Sequence, residues 1–137
     1  MKKAMAFSIN LVLMLLLTLT IFAAQAQETQ INITGIKSAK GKIALSLFKN
    51  NQSFEKEQPY KSFVFDKKDM VNGALTVTIK AEAGTYGIAL LDDENSNGKM
   101  DKSFIGMPKE GFGFSDFYME KLKKPAFDDF KVDLNIA

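Results

Sequence analysis

At 137 residues, with 18 lysines, 16 acidic residues and no arginine, histidine or cysteine, the chain excludes more chemistry than it suggests. Disulfides, thiol nucleophiles and histidine-based triads are ruled out, and so are the usual zinc ligands. Lys2 and Lys3 account for the formal charge of +2, so the chain from Gln27 onward is balanced. Nucleic acid is therefore not an expected partner, and the absence of arginine removes the fork that grips phosphate in two places.

The first 26 residues read as a cleavable Sec-type signal peptide. Lys2 and Lys3 are followed by an apolar run from Leu11 to Leu17, extended by Leu19, Ile21 and Phe22, and Ala24-Gln25-Ala26 closes it as an A-x-A site. Cleavage after Ala26 would leave residues 27–137 as one domain in the periplasm or outside the cell, with no stable membrane anchor. The competing reading is an uncleaved anchor, which the small-residue exit disfavours.

Short strands follow, marked by alternation and separated by turn residues. Gln30–Ile36 alternates, Ser38-Ala39-Lys40-Gly41 predicts a hairpin turn, and Lys42–Phe48 has the two apolar faces of a central strand. Lys61–Asp66 carries Phe63 and Phe65 on one side. After the turn dipeptide Asn72-Gly73, Leu75, Val77 and Ile79 alternate with threonines, and Thr85–Leu91 is another apolar strand. Phe130–Ile136 is a half-buried closing strand. Short helices are expected at Asn51–Gln58 and Asp116–Lys123. The spacing predicts an all-β fold, a single β-sandwich of about seven strands.

From Asp92 to Pro125 regular pattern is scarce, yet Phe104, Ile105, Phe112, Phe114, Phe117 and Tyr118 make the stretch too apolar for disorder. A long ordered loop over about 92–125 is expected, and the acidic turn at its start is the candidate for fixing it. Counted from Asp93, side-chain oxygens fall at positions 1, 3, 5 and 9, on Asp93, Asn95, Asn97 and Asp101, with Gly98 at position 6 and the Lys99 carbonyl at 7. Such a loop can supply much of the oxygen shell of a structural Ca²⁺. Position 12 is Phe104, so the bidentate glutamate of an EF-hand is missing. Asp92, Glu94 or Glu110 would complete the shell, Glu110 being the one assigned. The competing reading is a metal-free turn held by asparagine and aspartate bonds to the backbone.

The run Gly84-Thr85-Tyr86, then Asp93-Glu94-Asn95-Ser96-Asn97-Gly98-Lys99-Met100-Asp101, Gly106-Met107-Pro108-Lys109-Glu110-Gly111-Phe112-Gly113-Phe114-Ser115 and Pro125-Ala126-Phe127-Asp128-Asp129 resembles the exported bacterial family named domain of unknown function 2141, over about residues 31–136. Asp116 departs from the asparagine of that pattern. The resemblance implies an immunoglobulin-like or transthyretin-like sandwich and export, but no activity. The acidic turn also looks like the calcium loops of adhesin B-type repeats, an analogy that again implies a structural ion.

The expected function is accordingly a non-catalytic binding or structural module of the envelope with a Ca²⁺-stabilised loop. One alternative is a carrier that binds carbohydrate or peptide on the aromatic Gly106–Tyr118 segment. The remaining alternative is a hydrolase using Glu110 and Asp116 as paired carboxylates.

Overall fold

The computed structural model describes residues 25–101, 107–119 and 123–135, and these form an all-β chain of two antiparallel sheets with two short helices. In order the elements are β1 (Gln27–Ile33), β2 (Lys42–Phe48), α1 (Asn51–Glu55), β3 (Lys61–Asp66), β4 (Leu75–Ala81), β5 (Gly84–Asp93), β6 (Gly111–Phe114), α2 (Phe127–Phe130) and β7 (Lys131–Leu134). β1 pairs with β4 in the smaller sheet. The larger sheet runs β3-β2-β5, with β6 and β7 both on the outer edge of β5. The expected signal peptide falls almost wholly on residues 1–24, outside the described residues. Among the described residues no helix is long and apolar enough to cross a membrane.

Period-two patterning places the core. In β4, Leu75, Val77, Ile79 and Ala81 are buried while Thr76, Thr78 and Lys80 face solvent. Ile43, Leu45 and Leu47 of β2 and Tyr86 and Ile88 of β5 meet the β4 residues and Ile33 in one cluster that joins the two sheets. Burying each such aliphatic side chain is worth about 1.5–3 kcal/mol, so this shared layer is the main stabilising term. A second cluster covers the opposite face of the larger sheet. There Phe48, Phe54, Phe127 and Phe130 pack beneath α1 and α2, with Phe130 edge-on to Phe54 at 4.8 Å.

Local hydrogen bonds explain the short elements. Asn50 caps α1 by accepting from the Ser53 amide at 2.8 Å, and Asp129 accepts from the Ala126 amide at 2.8 Å where α2 begins. Val71 and Ala74 exchange two backbone bonds around Asn72 and Gly73, both with positive φ, so the expected turn takes the primed form favoured by such dipeptides.

β6 and β7 lie end to end along β5. β6 opposes Ala89–Asp92 and β7 opposes Gly84–Gly87. Ser115 joins them across Ile88: its hydroxyl accepts from the Ile88 amide at 3.0 Å and donates to the Phe130 carbonyl at 2.5 Å, and its own amide donates to the Ile88 carbonyl.

Several elements differ from their expected form. Residues 38–41 do not turn a hairpin, because β1 and β2 belong to different sheets and the segment crosses between them. β1 spans Gln27–Ile33 rather than Gln30–Ile36. β5 continues through Asp92 and Asp93, held in register by Ile43 and Lys42, so the acidic loop starts at Glu94. β6 lies inside the stretch expected to lack regular structure, because its Gly-Phe-Gly-Phe sequence carries little strand signal. The described part of Asp116–Lys123 is not helical, since Phe117 bridges back to Phe114. α2 occupies Phe127–Phe130, and the closing strand begins only at Lys131.

Candidate functional site

The acidic loop grows from the last residue of β5. Asp93 is buried, and its two carboxylate oxygens accept from the backbone amides of Asn97 at 3.0 Å and Gly98 at 2.7 Å. The chain can wind around that carboxylate because Ser96 and Gly98 take left-handed backbone angles, φ +57° and +75°. Asn95 and Asn97 each accept a bond from the amide two residues on, Asn97 and Lys99 respectively, a short-range pattern that tightens the turn.

The far side of the loop returns to the same place. The amide groups of Asn95 and Asn97 both donate to the Asp101 carboxylate, Asn97 at 3.0 and 3.2 Å. Since Gly111 lies opposite Asp92 in the β5–β6 register, Glu110 falls beside the loop, where Oε2 accepts from the Asp101 amide at 3.1 Å. The Lys109 amide donates to the Asp101 carbonyl at 2.8 Å. Asp93, Asn95, Asn97, Asp101 and Glu110 are thus brought into one network, while Lys99 is exposed and contributes its amide to Asn97.

The three acids considered for completing an oxygen shell have separate fates. Asp92 is taken by Lys67, Glu94 is exposed, and Glu110 alone of the three bonds to the loop. Among the described residues no three Asp or Glu side chains converge closely enough to hold a metal ion by themselves. Any cation there would need amide and main-chain oxygens as well.

The aromatic segment splits into covered and open parts. Phe114 contacts the rings of Phe54, Phe112, Phe117 and Phe130, and with Phe117 it packs against the second core cluster. Phe112, Phe114 and Phe117 are half-buried, whereas Tyr118 is 87% exposed. Glu110 and Asp116 flank β6 at opposite ends. Two residues of structural weight escaped the sequence pattern: Lys67, one lysine among 18, and Ser115, whose role depends on two strands sharing an edge.

No curated protein and no solved structure matches the chain. The model of one family, described as an uncharacterized protein conserved in bacteria, matches residues 31–137. Spanning the acidic loop, the Glu110–Ser115 return strand and the closing strand, that match shows that the chain belongs to the family named domain of unknown function 2141.

Proposed function

We propose that this protein is a small exported β-sandwich module, immunoglobulin-like or transthyretin-like, which acts by binding or as a structural piece of the envelope and holds a Ca²⁺-type cation in its acidic loop. The observation that carries this reading is the gathering of Asp93, Asn95, Asn97, Asp101 and Glu110 into one network. Hard cations take six to eight oxygens. Asp93, Asp101 and Glu110 would supply the charge, and Asn95, Asn97 and the Lys99 carbonyl neutral oxygens. In accepting an ion, the two asparagine amides would turn their oxygens toward it in place of the nitrogens that now face Asp101, a rotation of a symmetric-looking group. With three negative charges the affinity belongs in the range of about 10⁻⁴ to 10⁻³ M found in extracellular modules.

The first strand among the described residues, β1, starts at Gln27, the residue that follows the expected cleavage site, which is compatible with export. The placement of Glu110 and Asp116 supports a non-catalytic role: they stand at opposite ends of β6, with the Glu110 carboxylate bonded to the Asp101 amide and Asp116 lining a cleft that Glu110 does not line.

Thermal unfolding with and without chelator tests the cation. With free Ca²⁺ at about a hundred times the dissociation constant, binding adds about 2.7 kcal/mol. For a domain of this size the midpoint should rise by roughly 10 °C. An unchanged midpoint at about 10 mM Ca²⁺, a hundredfold excess at the tighter end of that range, refutes the cation.

A further inference from the structure

Among the described residues the larger sheet is four strand positions wide, whereas the smaller has two strands. At about 4.8 Å per strand the smaller sheet falls short by roughly two strands. The shortfall lies beyond β1, where a cleft of about 710 Å³ opens between the outer edge of β1 and the inner face of β5, β6 and β7. Its walls include Ile31 and Ile33 on β1, Leu90 on β5, Gly113 on β6, and Val132 and Leu134 on β7. Ile31, Leu90, Val132 and Leu134 belong to the main core yet are only partly covered.

The wall formed by β1 is a strand edge. Among the described residues β1 pairs with β4 alone, in unbroken one-to-one register over seven residues. Of the devices that usually protect an edge, Gln27–Ile33 has a single charge near its start, Glu28, paired with Lys80 of β4, and contains no proline, no lysine and no bulge. Every second N–H and C=O of β1 therefore faces the cleft side without a strand partner among the described residues. An alkyl chain would fill the apolar floor but leave those groups unpaired; an extended peptide satisfies both.

We infer that this cleft is a strand-addition site, which takes one extended segment of another polypeptide alongside β1. The segment carries alternate apolar residues for Leu90, Val132 and Leu134 and is uncharged along that run. A basic residue at its end meets Asp116, the one acidic side chain lining the cleft among the described residues. A second folded copy does not fit. Antiparallel pairing of β1 with its own counterpart places both larger sheets on the same side, and β6 and β7, which project past β1, would collide with those of the partner. A lone segment has no sheet behind it and meets no such obstacle.

The inference deepens the binding part of the proposed function and is independent of its cation, so binding is measured in chelator. Gly113 supplies the blocking variant, because a Cβ there meets nothing within 4 Å and its φ is not left-handed. The probe is a fluorescein-labelled heptapeptide of alternating valine and threonine ending in lysine, and its twin is N-methylated at alternate residues. Anisotropy should show saturable binding of the first, weakened by about tenfold or more in the twin, which loses main-chain bonds. Gly113→Trp should weaken binding by a similar factor with its unfolding midpoint unchanged, Asp116→Lys by a few-fold, and Val64→Trp on the exposed outer face not at all. Failure of the peptide to bind at about 1 mM, near the weakest useful affinity, overturns the inference. Equal binding of the twin also overturns it, as does a cleft that takes laurate but no peptide. So does self-association that Gly113→Trp abolishes.

Discussion

Lys67 Nζ lies 2.5 Å from Asp92 Oδ1, with the two side chains only 1% and 8% exposed. The ammonium also donates to the carbonyls of Ser38 at 2.8 Å and Lys40 at 2.6 Å, so all three of its hydrogens have acceptors. One side chain thus ties the end of β3 to β5 and to the crossing between the sheets. Removing one member of a buried pair strands the other charge, at a cost of about 3–5 kcal/mol. Lys67→Met should lower stability by that amount in urea unfolding, whereas Lys67→Met combined with Asp92→Leu should recover much of it. A single variant that unfolds like the parent would show that water reaches Asp92.

The two aspartates of the acidic loop should behave differently. Asp101→Asn keeps the shape of the side chain and removes a charge, so it should abolish the Ca²⁺-induced rise while leaving the chelated midpoint nearly unchanged. Asp93→Ala should lower the midpoint even in chelator, by about 1–3 kcal/mol, because it leaves the Asn97 and Gly98 amides without their acceptor. Parallel melts with and without Ca²⁺ separate the two effects.

Two glycines with the same backbone angle should respond unequally to alanine. Gly41 and Gly98 both have φ +75°, which costs a side chain roughly 1–2 kcal/mol. A Cβ on Gly98 meets nothing within 4 Å, so Gly98→Ala should lose only that strain. On Gly41 it would lie 2.0 Å from the Asp93 carbonyl oxygen, so Gly41→Ala should cost more and displace the base of the acidic loop. Equilibrium unfolding of both variants gives the difference directly.

Tyr86 is buried and donates to the Glu82 carbonyl at 2.8 Å. Burial, then the neighbouring Tyr60 and Glu82, raise its pKa above the ordinary 10.0. The unfolded chain therefore loses this proton before the folded one does, and stability falls with rising pH. The contribution is complete below about pH 10 and is lost as pH climbs through the higher folded value. Urea unfolding of the parent and Tyr86→Phe between about pH 8 and 11 should show a steeper alkaline loss in the parent, with lysine titration common to both.

Ser115→Ala should destabilise by about 1–3 kcal/mol, since it removes the acceptor of the Ile88 amide and the donor to the Phe130 carbonyl. Hydrogen exchange should speed up first at Ile88 and along β7, whose attachment to β5 begins there.

Alternation made β2, β3 and β4 legible, because a strand's side chains point to opposite faces whatever it pairs with, and Asn72-Gly73 announced its own turn. The oxygen-bearing positions from Asp93 to Asp101 were equally local, and so was the left-handed need at Gly98. Pairing was not local. That β1 joins β4, that β6 and β7 share one edge of β5, and that Glu110 therefore returns to the acidic loop depend on contacts between distant segments, which residue spacing does not encode. Lys67 makes the same point chemically: it is identical in sequence terms to lysines that stand in solvent, and only the pairing of β3 and β5 on either side of β2 buries it over Asp92. The sequence by itself determined which stretches become strands and which bend can gather oxygens. Tertiary structure alone decided which charges are enclosed and which strands pair, because burial and pairing are properties of surfaces that exist only once the two sheets meet.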